Sequence, residues 1–320
     1  MEPLDRRKFI KYASVGAAAL SLPTVNLRAA TPSPSAISNP LCVFTKHLQW
    51  MDFEDLGKFM SDIGYDGVDL TVRKGGHIEH DVAPKVLPGA IEKIRKSGTQ
   101  VPMMVTSIND TEDPIAEPLL KTAAANGVKF YRMAYYSYDK NVGIEENLLS
   151  LRKTVARLAE LNKKYGIHGA YQNHAGERVG GPVWDLWYLM KDMDPEWTGI
   201  QYDIRHATVE GGTSWPTGLK LVQDFVRCTA IKDFKWIQRD DNSWRAETVP
   251  LGVGMVDFDR YFDMIKAMNL NGPISVHFEY PIYGQDEKSL TKSEKMKFAR
   301  TVMAKDLEKL RDSLNKAGIN

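Results

Sequence analysis

Short apolar runs alternate with longer segments in which apolar residues return every three or four positions. The short runs predict strands and the longer ones amphipathic helices. From Leu41 onward the strands are expected at Leu41–Thr45, Gly67–Thr71, Val101–Ser107, Val128–Met133, His168–Asn173, Gly199–Asp203, Cys228–Phe234 and Ile274–Glu279. The intervening helices are expected near Phe53–Ile63, Pro88–Ser97, 114–126, Glu145–Lys164, Val183–Met190, Pro216–Val226 and Phe258–Met268, with a last one over Leu290–Leu314. Gln238–Gly254 reads as a long loop. Eight strand–helix units over about 280 residues predict an α/β fold, a closed (β/α)8 TIM barrel. An open doubly wound sheet would want a Gly-rich dinucleotide turn after the first strand, and none is there. Gly252 and Gly254 follow no strand directly and read as loop conformers.

The N-terminal pattern is different. Asp5-Arg6-Arg7-Lys8-Phe9-Ile10-Lys11 precedes an apolar, small-residue run from Tyr12 to Leu22, too short to span a bilayer as a stable helix. The arginine pair resembles a twin-arginine export signal, so residues 1–30 are expected to direct export to the periplasm. Leu27-Arg28-Ala29-Ala30 is a candidate cleavage region, and no cysteine behind the run suggests a lipid anchor. Residues 31–40, rich in Ser, Pro and Thr, read as a linker, and 41–320 as one catalytic domain.

Composition narrows the partners. The 320 residues carry a formal charge of +1, and residues 1–28 hold five positive and two negative groups, which leaves about −2 for the rest. That balance argues against a nucleic-acid surface. No second apolar segment is long enough for stable membrane insertion. A small-molecule sugar or keto-glycoside is the expected partner, and a homo-oligomer is left open. Cys42 and Cys228 could pair in an oxidising compartment, but each sits in an apolar strand, which favours buried thiols.

Polar residues collect at the predicted C-terminal strand ends, where a barrel holds its ligand. They include Lys46 and His47, then Asp69 leading to His77, then Arg132 with Tyr135. Gln172-Asn173-His174, Asp203 with Arg205 and His206, Lys232-Asp233 with Lys235, and His277 with Glu279 complete the set. Asp203, Glu279, His174 and His206 offer O and N donors suited to a divalent cation such as Mn, Zn or Mg. The alternative is a hydrogen-bonded proton-transfer site, with Lys232 or Lys235 supplying positive charge. Aromatics near this rim, among them Trp50, Tyr135, Trp215, Trp236 and Tyr283, suit stacking on sugar rings.

On these residues the chain resembles the xylose-isomerase-like superfamily of sugar phosphate isomerases and epimerases. The resemblance rests on Gly64-Tyr65-Asp66-Gly67-Val68-Asp69-Leu70, Tyr171-Gln172-Asn173-His174, Asp203-Ile204-Arg205-His206, Ile231-Lys232-Asp233 and His277-Phe278-Glu279-Tyr280. It implies one divalent metal held by Glu, Asp, His and Glu from strands five to eight. Here the strand-five position is Gln172, and the strand-seven pattern His-x-Lys-Asp is Ala230-Ile231-Lys232-Asp233, without the histidine. Asp203 and Glu279 match, as does His206, the expected substrate contact. The expected metal set is therefore Gln172, Asp203, Glu279 and His174. Glu279, His174, His206 and Lys232 are the expected catalytic groups, and His47, His77, Arg132, Arg205, Trp215 and Lys235 the substrate contacts. Arg73, Lys74 and Arg205 are available to an anionic group. Gln172 cannot shuttle a proton, which breaks the usual two-glutamate arrangement. The implied function is a sugar isomerase or epimerase that removes an α proton from a keto-sugar or polyol. The alternatives are a lyase or hydrolase on oxidised (3-keto) glycosides and a noncatalytic carbohydrate-binding barrel.

Overall fold

A computed structural model describes residues 39–284 and 287–319. The expected export signal and residues 31–38 of the expected linker lie outside them. Eight strands close a parallel barrel: β1 (Leu41–Phe44), β2 (Gly67–Val72), β3 (Gln100–Thr106), β4 (Phe130–Arg132), β5 (His168–Gln172), β6 (Thr198–Asp203), β7 (Val226–Ile231) and β10 (Ile274–Val276). Every neighbouring pair is parallel, and β10 returns to β1 through Leu41↔Ile274. Strands such as β2 are buried along their whole length, as expected for a parallel sheet covered on both faces.

The helices form where caps and apolar spacing coincide. Asp52 caps α1 (Phe53–Ile63) by accepting from the Asp55 amide at 2.9 Å, and Gly64, at φ 103°, ends it. The other helices are α2 (Ala83–Lys96), α3 (Ala116–Ala125), α4 (Ile144–Tyr165), α5 (Val183–Met190), α6 (Ile204–Gly211), α7 (Trp215–Val222), α8 (Phe258–Ala267) and α9 (Lys292–Ala317). A Thr291–Glu294 capping box starts α9. Among the described residues no helix is long and apolar enough to cross a membrane.

Several boundaries depart from the sequence pattern. The seventh strand does not run through to Phe234. It stops at Ile231, and Asp233 begins β8 (Asp233–Gln238), which pairs antiparallel with β9 (Trp244–Val249). The cause is the Asp233 carboxylate, which accepts the amides of Phe234, Gly252, Gly254 and Val256 at 2.8–3.1 Å. That clamp turns the chain out of the barrel and fastens its return. The stretch expected as a loop therefore carries a hairpin arm, and Gly254 is required: a Cβ there would lie 2.0 Å from Asp233 Oδ1. The short helix α6 is also unanticipated. Asp203 caps it by accepting from the His206 amide at 3.1 Å. The helix expected to reach Val226 stops at Val222, and α2 starts at Ala83, with Pro84 in its first turn and Pro88 inside it.

The main apolar core lies between strands and helices. A second, small cluster joins Met103, Ala170 and Cys228 with Phe130. Cys228 and Cys42 are both buried free thiols. Buried polar groups gather at the other end of the barrel: Asp69, Arg132, Gln172, Asp203, Lys232 and His277.

Candidate active site

Lys232, the residue after β7, is the centre of the polar cluster. Its ammonium donates to Asp203 Oδ2 at 2.8 Å, to His206 Nε2 at 2.9 Å and to Glu279 Oε2 at 3.2 Å. Its side chain is 1 % exposed, against 28 % for Glu279. Asp203 and Glu279, the two carboxylates that match the family pattern, thus converge on one cation. Asp203 ends β6 and Glu279 lies three residues beyond β10, so the barrel brings together groups far apart in the chain.

A second line of bonds holds this group in place. Gln172, at the end of β5, donates from Nε2 to Asp203 Oδ2 at 2.7 Å. Its Oε1 accepts from Arg132 Nη1 at 2.9 Å and from the Tyr135 hydroxyl at 2.5 Å. Because Arg132 can only donate, the amide orientation is fixed. Asn173 braces β6 by accepting from the Asp203 amide at 2.7 Å and donating to its carbonyl at 3.0 Å.

The charges follow from this geometry. Burial alone would lower the Lys232 pKa, but the Asp203 and Glu279 carboxylates outweigh it and raise it. Burial alone would raise Glu279, but Lys232, then His277 and Lys46, hold its carboxyl far below the usual range. Burial, then Lys232 and the other neighbouring bases, push His206 well below the ordinary histidine value. Arg205 Nη1 faces its Nδ1 at 3.0 Å while Lys232 faces its Nε2. Both are donors and a neutral imidazole has one lone-pair nitrogen, so only one of them hydrogen-bonds to the ring at a time. His174 stacks on His206, centroids 3.9 Å apart, and burial lowers its pKa as well. Its Nδ1 donates to the Ala175 carbonyl at 2.8 Å, which leaves the lone pair on Nε2.

Other expected contacts are distributed around this centre. Arg132 lies against the Phe44 and Tyr135 rings, at 5.5 and 5.2 Å. His47 is half-buried, and burial, then the Lys46 charge, lowers its pKa against the opposing pull of Glu279. His77 bonds to Thr45 and Thr71 at the ends of β1 and β2, and burial pushes its pKa down to about 4. Arg205 reaches the Ala246 carbonyl on β9 at 2.7 Å and so joins the hairpin to the site. Two expected contacts are not brought to the cluster. Trp215 is buried at the start of α7, edge-on to Tyr261, and lines a cavity with Trp184 between α5, α6 and α7. Lys235 is exposed on β8, opposite Glu247, because the chain leaves the barrel at Asp233.

Residues absent from the expected set also border the mouth. Arg178 lies 4.5 Å over the Tyr135 ring. With Tyr138, Asp139, Lys140 and Glu177 they line a cavity of about 700 Å3. These residues come from the loops after β4 and β5, which carry no spacing signal. Asp69 and His277 lie deeper. Burial raises the Asp69 pKa to about 6, and His277, stacked on Phe44 at 4.5 Å, hydrogen-bonds through neither ring nitrogen.

The family description "Xylose isomerase-like TIM barrel" matches residues 57–311. The chain belongs to this family. A search of the curated proteins finds no match. Among solved structures, a xylose isomerase-like TIM barrel protein from Mycobacterium smegmatis in complex with magnesium is 13% identical, with a TM-score of 0.64 over 88% of this chain and 100% of that one. An IOLI protein with a bound zinc atom is 16% identical, with a TM-score of 0.64 over 84% and 98%. A 3-keto-D-glucoside 4-epimerase from E. coli is 13% identical, with a TM-score of 0.61 over 84% and 99%.

Two of these solved structures hold divalent metals, but the donor set of this chain does not fit one. Gln172 turns its amide nitrogen, not its oxygen, toward Asp203. Asp203, Glu279 and His206 each direct an atom at the Lys232 ammonium. Among the described residues no three His, Cys, Asp or Glu side chains are grouped to hold a metal ion. A doubly charged ion about 4 Å from an ammonium is repelled by roughly 8 kcal/mol at an effective dielectric of about 20. Of the metal set expected from the sequence, Asp203 and Glu279 meet at an amine, Gln172 bonds to Asp203 and His174 stacks on His206.

Proposed function

We propose that the chain is a sugar isomerase or epimerase that removes the proton α to a carbonyl of a keto-sugar or related polyol. The observation that carries this reading is His174: neutral, with its tautomer fixed by Ala175, and stacked on the histidine that touches Lys232. A base works best when its pKa lies near the working pH. Glu279 is held too far below that range to be the stronger base, so His174 takes the proton. Glu279 stays ionised and orients hydroxyl groups of the substrate. Lys232, Arg132 and Arg205 set a positive field in which enediolate charge develops at lower cost.

A second reading, a lyase or hydrolase on oxidised (3-keto) glycosides, draws on the cavity of about 700 Å3 beside Tyr135. That space suits a second ring on the substrate. Gln172 in place of a carboxylate removes one of the two bases of a standard epimerase, which also favours cleavage over inversion. The E. coli relative is named for a 3-keto-D-glucoside.

Deuterium wash-in from D2O, with keto-sugars and 3-keto-glycosides offered in turn, tests both. Exchange with an isomeric product selects the isomerase. Exchange with an unsaturated or cleaved product selects the second reading. Tight sugar binding without exchange makes the protein a carbohydrate-binding barrel and ends the enzymatic proposal.

A further inference from the structure

We infer that Lys232 is a built-in substitute for a divalent cation, and that Asp203 and Glu279 form a site closed to metal ions while its ammonium is present. The inference goes beyond the proposed reaction, because it stands on the donor set and not on any substrate.

Three features carry it. First, with the His206 lone pair on Nε2 the match is complete: three ammonium protons meet three acceptors, Asp203 Oδ2, His206 Nε2 and Glu279 Oε2, at 2.8–3.2 Å. Second, the pairing is obligatory. Asp203 is fully buried and the lysine side chain is 1 % exposed. A desolvated carboxylate needs a counter-charge, and here the chain supplies it. Third, the ammonium has nowhere else to go. The next residue, Asp233, is fixed by four backbone amides, so the turn that aims Lys232 inward is rigid. Gln172 supports the same arrangement, because its amide nitrogen satisfies the other side of Asp203 Oδ2 without adding charge.

The arrangement has a converse. Removing the amine leaves two carboxylate oxygens and one imidazole nitrogen facing a single cleared volume; they stand 2.8–3.2 Å from its centre, and closing in by roughly 1 Å brings them to the bond lengths of about 2.0–2.2 Å at which such donors hold Zn2+ or Mn2+. Lysine and metal should therefore compete for one place.

Mn2+ is titrated into the full-length protein without substrate, and the free-ion signal is followed by electron paramagnetic resonance. Wild type is expected to show no site tighter than about 1 mM, and Lys232→Ala one site per chain at least about 100-fold tighter. That site should disappear in the double variant Lys232→Ala/Asp203→Asn. An alanine variant that folds but gains no Mn2+ overturns the inference. The wild-type arm needs no variant to fold: Mn2+ bound tightly by wild type and lost in Asp203→Asn overturns it too. The readout is metal binding alone, so failure of the proposed reaction leaves this result intact, and the reverse also holds.

Discussion

On the proposed reading, His174 and Glu279 divide the work of the site according to their surroundings. Replacing His174 with Gln should lower α-proton exchange about 10²–10⁴-fold, because it removes a neutral base whose lone pair is fixed on Nε2. Circular dichroism should show the fold unchanged. Burial lowers the pKa of His174, so the base form is full at neutral pH. Activity should fall only as the pH drops below the ordinary histidine value, and a limb of the rate profile above pH 7 would exclude this assignment. These residues were legible in the sequence as types at strand ends. Their partners were not. Lys232 meets groups from β6 and from beyond β10, and nothing local in Ile231-Lys232-Asp233 records that meeting. The orientation of Gln172 was equally hidden, because Arg132 and Tyr135 set it from another strand.

At the level of elements, the alternation of apolar runs revealed every barrel strand, since buried parallel strands are apolar throughout. The hairpin β8–β9 gave no such signal. Its outer residues are exposed, with Lys235, Gln238, Trp244 and Arg245 on the surface, so neither continuous nor alternating burial marks it. Its cause is one carboxylate. Gly254→Ala should therefore destabilise the protein by more than about 2 kcal/mol, since the new Cβ meets Asp233 and breaks the clamp. Chemical denaturation measures this. A loss below about 0.5 kcal/mol, the range of an ordinary surface change, would show that the clamp does not hold the arm. The helix α6 was missed for a related reason. Asp203 was read as a ligand, and its second oxygen proves to be a cap.

For the whole molecule, Asp306 on α9 links three distant parts. Its carboxylate accepts from the Tyr280 hydroxyl at 2.7 Å and from the Leu251 amide at 3.3 Å, so the last helix is bonded to the end of the barrel and to the return of the hairpin. Burial raises its pKa to about 6. The folded state therefore favours the protonated acid. The stability cost is complete above about pH 6 and disappears near pH 4, where the unfolded carboxyl also takes up its proton. Asp306→Asn should be more stable than wild type at pH 8, by up to about 3 kcal/mol, with the difference closing toward pH 4. Melting curves across that range check the sign, and a variant less stable at pH 8 than at pH 4, relative to wild type, would refute it. The eightfold repetition was the part of the fold most legible in the sequence, because it is written in every unit. The closure by Asp306 was not, because it occurs once. The arm leaves and rejoins the ring at the same carboxylate, Asp233, so its length is independent of the eight staves. A longer or shorter arm spliced between those two points would change what overhangs the mouth while the ring beneath kept its shape.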